Sequence, residues 1–275
     1  MGGRPHPARL RTGDVVKAHQ ILAKVLRSAV KAKLIASSPC DDTELPAIET
    51  HEQRFLTPAE IFEVAEAIDP TYRTMVLTAA YSGLRFGELA GLRAERVDLA
   101  RSSLHVTEIC TEVRGALLYG PPKTKAGRRR VPLPRFVVDA LTEHLTDVEH
   151  GALVFTNADG TPLRANNWRR RIWQPACIAV GQGEIAESAT TKSGETYLGL
   201  RPHDLRHTAI SLWIAAGASP NEIARRAGHA SVATVLDRYG HLLPGTEERV
   251  NDALDAMADA ARQRSPRQHG DRKSD

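Results

Sequence analysis

In Ser82-Gly83-Leu84-Arg85-Phe86-Gly87-Glu88-Leu89 an arginine follows a helix-ending glycine, and a carboxylate comes three residues later. One helical turn brings Arg85 and Glu88 to the same side. There they form an ordinary i, i+3 ion pair or, if buried, a fixed guanidinium fork for a phosphate. In His203-Asp204-Leu205-Arg206-His207, His203 and Arg206 face one way at the start of a helix, a pairing suited to an oxyanion or phosphate. His203 and His207 also stand at zinc-ligand spacing. A zinc protease site needs a glutamate where Asp204 stands, together with a third ligand, so no metal is expected. Ala227-Gly228-His229-Ala230-Ser231 and Asp237-Arg238-Tyr239-Gly240-His241 add a histidine and a tyrosine, Tyr239 following His229 by ten positions. A lone tyrosine at the end of a helix is ordinarily a half-buried core residue; this one has company.

The charge distribution points the same way. Of 37 basic and 33 acidic residues, six basic ones (Lys123, Lys125, Arg128, Arg129, Arg130 and Arg135) fall within residues 121–138, where there is no acid. The net charge of +4 is therefore local, as expected for a polyanionic partner, nucleic acid first.

These residues need elements to position them. His19, Leu22, Leu26, Val30 and Leu34 recur at three- and four-residue steps, which predicts an amphipathic helix over 15–35. Residues 37–50, with four acids, Pro39 and Pro46, read as a linker. Thr57-Pro58-Ala59-Glu60 is a capping box with proline at the first helical position, opening helices over 58–68 and 72–82. Between 103 and 133 β-type residues are broken by glycine and proline, predicting a small antiparallel sheet with the basic run on one hairpin. Helices are expected over 137–145 and 166–180, a surface loop over 181–199, and four short helices over 203–216, 220–227, 231–239 and 247–264. The tail 265–275 is expected to be disordered. The fold class is mainly α with a small antiparallel β-sheet (α+β).

At 275 residues, 25% charged and 41% hydrophobic, the chain is excluded from the fibrous, disordered and disulfide-knit classes. Cys40, Cys110 and Cys177 are odd in number and far apart, so they are expected to be reduced. With no apolar run long enough for a membrane span or signal peptide, the expected location is cytoplasmic, with no membrane partner.

Taken in order, SGLRFGEL, PPKTKAGRRRVPL, HDLRH, AGH and DRYGH resemble the active-site set of the tyrosine recombinases, the phage-type integrases, over about residues 54–243. The resemblance implies the recombinase catalytic fold and a site-specific enzyme that integrates or excises a mobile element through a 3′-phosphotyrosine. It implies Tyr239 as nucleophile and Arg85 and Arg206 as holders of the non-bridging oxygens. His203 and His229 would serve hydrogen bonding and proton transfer. Lys123, with Lys125 the alternative, would protonate the leaving 5′ oxygen, and Glu88 would hold the site together. Arg128, Arg129 and Arg130 are expected to contact DNA phosphates. No cofactor is implied, since the phosphotyrosine conserves the bond energy. The implied partners are double-stranded DNA and further copies of the chain in a tetramer, exchanging the 247–264 helix with its stripe of Val250, Leu254, Met257 and Ala261. The implied organisation is a catalytic domain over 51–246 preceded by residues 1–50, the last helix of a core-binding domain plus a linker. That start is either a shortened remnant or set too late.

A rival reading is a non-catalytic regulator. Residues 221–228 followed by 231–235 resemble a repressor helix-turn-helix, but His229 and Ala230 separate the turn glycine from Ser231 where repressors have one residue. The extra residue rotates the second helix by about 100°. A type IB topoisomerase shares the nucleophile chemistry, but the motif wording is that of the integrases.

Overall fold

The computed structural model describes residues 12–47, 54–188, 191, 193–243 and 246–264. The chain divides into two units, residues 1–53 with 183–199, and residues 54–182 with 200–275. In the first unit, helix α1 spans Thr12–Lys31 and buries Val16 and Ala23, while Leu22 and Leu34 of the expected stripe are exposed. The seven-residue step from Val16 to Ala23 sets the buried side, with Leu26 and Val30 partly covered along it.

In the second unit the Thr57 hydroxyl accepts the Glu60 N–H and the Glu60 carboxylate accepts the Thr57 N–H, so α2 (Pro58–Ala67) begins where its capping box directs. Helix α3 (Pro70–Ser82) stops at Gly83, whose φ of 62° closes the helix in the left-handed region that favours glycine. A short α4 (Phe86–Ala90) follows. The β region forms two sheets where one was expected. Strands β1 (Val97–Asp98) and β2 (Ser103–Val106) join the later β5 (Arg129–Pro132) in the order β1-β2-β5. Strands β3 (Ile109–Val113) and β4 (Ala116–Gly120) pair as a separate hairpin. Lys123, Lys125 and Arg128 therefore lie in the loop between β4 and β5, and Arg129 and Arg130 on β5, not on a hairpin turn.

Helix α5 (Arg135–His144) packs on α3. The helix expected over 166–180 is interrupted: α6 (Ala165–Trp168) passes through a π turn at Arg169–Trp173 into α7 (Gln174–Ala179). Pro175 explains the wider turn, because it has no N–H and its ring would collide with the carbonyl four residues back in a regular helix. Residues 181–199, expected as a loop, contain the hairpin β6 (Gly183–Glu187) and β7 (Glu195–Gly199), with Ile185 opposite Tyr197. Helices α8 (Asp204–Ala215), α9 (Pro220–Ala227), α10 (Ala233–Tyr239) and α11 (Thr246–Arg264) complete the chain.

The core of the second unit lies where α3 packs against α2 and α8, burying Ile61, Val64, Met75, Leu77, Leu205 and Ile210. Each such side chain contributes about 1.5–3 kcal/mol. A cluster built on Ile210, Trp213, Ile223 and Val235 joins α8, α9 and α10, and Tyr239 belongs to it. Among the described residues no helix is long and apolar enough to cross a membrane. The tail 265–275 lies outside the described residues.

Candidate active site

The turn at Gly83 directs the chain so that Arg85 caps α4. The Glu88 carboxylate reaches back to the Arg85 main-chain N–H at 2.8 Å and to its Nη1 at 3.1 Å. Glu88 is buried, and it is not alone with Arg85. Arg129 of β5 meets it with a bidentate fork, Nη1 to Oε1 and Nη2 to Oε2, both at 2.9 Å. Burial alone would raise the Glu88 carboxyl; the hydrogen bonds and charge of Arg129, with help from Arg85, outweigh it and hold the group below the usual carboxylate value.

Arg206, on the first turn of α8, is buried as well. Its Nη1 donates to the Gly83 carbonyl at 2.6 Å and its Nη2 to the Ala227 carbonyl at 2.5 Å. Both acceptors end helices, where orphan carbonyls carry partial negative charge, so the guanidinium fixes the ends of α3 and α9 to each other. Burial lowers its pKa to about 9, with Arg85 adding to the effect and Glu88 opposing it, and the group stays charged at neutral pH.

Past α9 the chain turns at Gly228, φ 67°, and presents His229. His229 and Lys123 share with Arg85 and Glu88 the wall of a cavity of about 520 Å³, together with Cys110 and Thr124. Lys125 sits in the 3₁₀ turn Lys125–Gly127 and is not part of that wall. The Nδ1 of His229 is buried without a hydrogen-bond partner among the described residues, an unmet polar atom at the edge of the cavity. Burial, reinforced by Arg206 and Arg85, pulls His229 to about 4. Burial and the neighbouring His207 do the same to His203 at the start of α8. Both imidazoles are thus neutral at physiological pH.

Tyr239 does not line the cavity. It is 1% exposed, and its hydroxyl is paired with Nδ1 of His207 at 2.5 Å. Burial pushes the phenol above its usual value, against the pull of Arg238 and Arg206. Burial holds His207 near 4, helped by Arg238 and Arg206.

The cavity thus gathers Arg85, Glu88, Lys123 and His229 from three separate segments, Arg206 ties together the ends of two helices that lead into it, and Tyr239 stands in the neighbouring core. Of the three arginines expected on DNA, Arg128 is exposed, whereas Arg130 is engaged with Ser103 and the Arg101 carbonyl. Arg129 is a correction: its side chain is 3% exposed and committed to Glu88, so it does not reach a phosphate at the surface. Strand alternation is the reason. Arg129 shares its face of β5 with Val131, which is fully buried, and Arg130 points the other way. That period-two signal lies in the sequence, hidden by the run of like charges. His207 stands at metal spacing from His203, but its steps of three and seven to Ile210 and Ile214 mark it as facing the core.

Residues 54–245 match the profile of the phage integrase family. The ICEBs1 integrase of Bacillus subtilis strain 168 is 27% identical over 250 residues, covering 86% of this chain and 63% of that protein. The integrase of Mycobacterium phage L5 is 29% identical over 265 residues, covering 93% and 65% respectively. The chain thus spans less than two thirds of the length of these relatives. Among solved structures, the Tn1549 transposon integrase fragment 82–397 in complex with circular intermediate DNA superposes with a TM-score of 0.70 at 19% identity, covering 90% of this chain and 81% of that one. At that identity the likeness is one of fold.

Proposed function

Since the chain belongs to the phage integrase family, we propose that it is a site-specific DNA recombinase that cuts and rejoins strands of a mobile element through a 3′-phosphotyrosine. The observation that carries this reading is the cavity where Arg85, Lys123 and His229 converge above the buried Glu88–Arg129 pair. Arg85, Arg129 and Arg206, with the Lys123 ammonium, set four positive charges against the single carboxylate of Glu88, an excess of three. A phosphodiester carries one negative charge, and the pentacoordinate state formed by an attacking oxyanion carries two. The site is therefore matched to the transition state more closely than to the substrate.

In the scheme, Arg85 and the free N–H groups of Arg206 hold the non-bridging oxygens. The Tyr239 oxygen bonds to phosphorus as the P–O5′ bond breaks. A neutral imidazole, His203 or His229, takes the phenolic proton, and Lys123 delivers one to O5′. The cavity wall favours Lys123 over Lys125 for this role. Because Tyr239 starts in the core on His207, its hydroxyl leaves that partner before it attacks. Rejoining is the reverse with a new 5′ hydroxyl, and it draws on the phosphotyrosine bond, without a nucleotide.

The same reading takes double-stranded DNA as partner, Arg128 as a phosphate contact, residues 1–50 as part of the half of the clamp that closes on DNA, and the cytoplasm as location. It also takes α11, with Leu254 and Met257 exposed, as the segment exchanged between subunits of a tetramer. The regulator reading is not favoured, because the turn that would separate its two helices places Gly228 and His229 in the cavity wall. The test uses a nicked duplex built from the borders of the element encoding the chain. The parent protein is expected to form a covalent adduct on a denaturing gel and Tyr239→Phe none. An adduct that survives Tyr239→Phe refutes the assignment.

A further inference from the structure

Arg129 is the one arginine of the basic run whose whole fork is spent inside the protein. Besides its two bonds to Glu88, its Nε donates to the Arg226 carbonyl at 2.7 Å and its Nη1 to the Gly127 carbonyl at 3.1 Å. The three acceptors belong to three different pieces of the cavity wall. Glu88 is the group that holds Arg85. Gly127 closes the loop that carries Lys123, its own N–H bonded to the Thr124 carbonyl at 3.0 Å and to Oγ1 at 3.2 Å. Arg226 lies in the last turn of α9, three residues ahead of His229. Only a planar guanidinium, with donors fixed in direction, spans such a set; an ammonium offers one point charge on a flexible stem.

Resting on the cleavage scheme above, we propose that Arg129 is a positioning residue for strand cleavage. It holds the loop of Lys123 at a set distance from Arg85, so that the proton donor meets the O5′ of the phosphate that Arg85 binds. In that step the Tyr239–phosphorus bond forms, the P–O5′ bond breaks, the phenolic proton passes to an imidazole, and O5′ takes its proton from Lys123. A loop that drifts impairs the last of these transfers first. A leaving group with sulfur in place of O5′ departs as a thiolate, since a thiol ionises near ~8.5, and needs no proton.

The experiment compares single-turnover cleavage of two nicked duplexes, both made from the borders of the element encoding the chain, one with oxygen and one with sulfur at the bridging 5′ position. Arg129→Lys keeps the charge and loses the fork. Its rate is expected to fall about 100-fold on the oxygen substrate, within the range a general acid supplies, and to return to within about threefold of the parent on sulfur. An equal loss on both substrates overturns the proposal and leaves Arg129 a role in stability alone. Should Arg129→Lys not fold, Thr124→Ala carries the comparison, because its hydroxyl accepts the Gly127 N–H and so closes the same loop. Rescue by sulfur then supports the proposal and equal loss again overturns it. Lys123→Ala separates this inference from the scheme beneath it. If sulfur does not rescue Lys123→Ala, the assignment of the lysine fails; if it rescues Lys123→Ala but not Arg129→Lys, only the role of Arg129 fails.

Discussion

Replacing Glu88 with glutamine removes one charge and almost no volume, so its effect isolates the buried ion pair. Oε1 accepts from Nη1 of both Arg85 and Arg129, and Oε2 from the Arg85 main-chain N–H and Nη2 of Arg129, at 2.8–3.1 Å. Whichever oxygen becomes the amide nitrogen, two donors then face a third. Hydrogen bonds to charged groups contribute about 1.5–3 kcal/mol each, and a buried pair that loses one partner costs about 3–5 kcal/mol. We expect Glu88→Gln to destabilise the protein by about 4 kcal/mol, or roughly 10 °C in Tm for a domain of this size. Urea unfolding followed by far-UV circular dichroism measures it, with an unchanged m-value as the sign that the native state remains compact. In a double-mutant cycle, Arg129→Met is expected to be damaging alone, while the pair of substitutions costs at least about 1.5 kcal/mol less than their sum, since neither charge is then stranded. A single-variant cost under about 1 kcal/mol, or strict additivity, refutes the reasoning. The pH dependence has a definite sign. The folded carboxyl ionises below the unfolded one, so the contribution of the pair is full above the ordinary carboxylate range and is lost as pH falls through the folded value.

Gly228→Ala tests the approach between the α9 turn and the lysine loop: a Cβ there stands 2.9 Å from the Ala126 carbonyl and 3.0 Å from Nη1 of Arg129, at a φ of 67°. The expected cost is about 2 kcal/mol or more in urea unfolding, the left-handed conformation alone accounting for about 1–2. His207 remains neutral in the fold to about 4 against an ordinary 6.5. Over that interval the unfolded chain gains a proton that the folded chain refuses, and stability falls as pH drops from 6.5 towards 4. His203 and His229 contribute in the same window. His207→Asn is therefore expected to reduce the slope of stability against pH, and an unchanged slope rejects the buried neutral imidazole. Arg128→Ala is expected to lower the slope of log K against log salt for duplex DNA by about 0.9 without changing sequence preference, whereas an altered preference at constant slope rejects a phosphate contact.

Local chemistry determined much of this protein from the sequence alone. The Thr57 capping box, the stop at Gly83 and the turn at Gly228 stand where the residues direct, because each depends only on neighbours within a few positions. The ordered motifs likewise carried the family, since the types of residue a phosphate demands are few. Tertiary structure decided the rest wherever a residue's role depends on what lies across the fold. Alternation with Val131 sets Arg129 apart from Arg130 in the sequence, but nothing local says which partner Arg129 meets. Only the pairing of β5 with β2, which turns Arg129 inward beside Val131, delivers it to a carboxylate 41 positions earlier in the chain. The hairpin over 183–199 escaped for a related reason, since strands rich in glycine and glutamate take their form from their partner. The position of Tyr239 is the sharpest case: its motif resembles that of a nucleophile, while the cluster that joins α8, α9 and α10 places the hydroxyl on His207, because a buried phenol needs a hydrogen-bond partner and the core supplies that one.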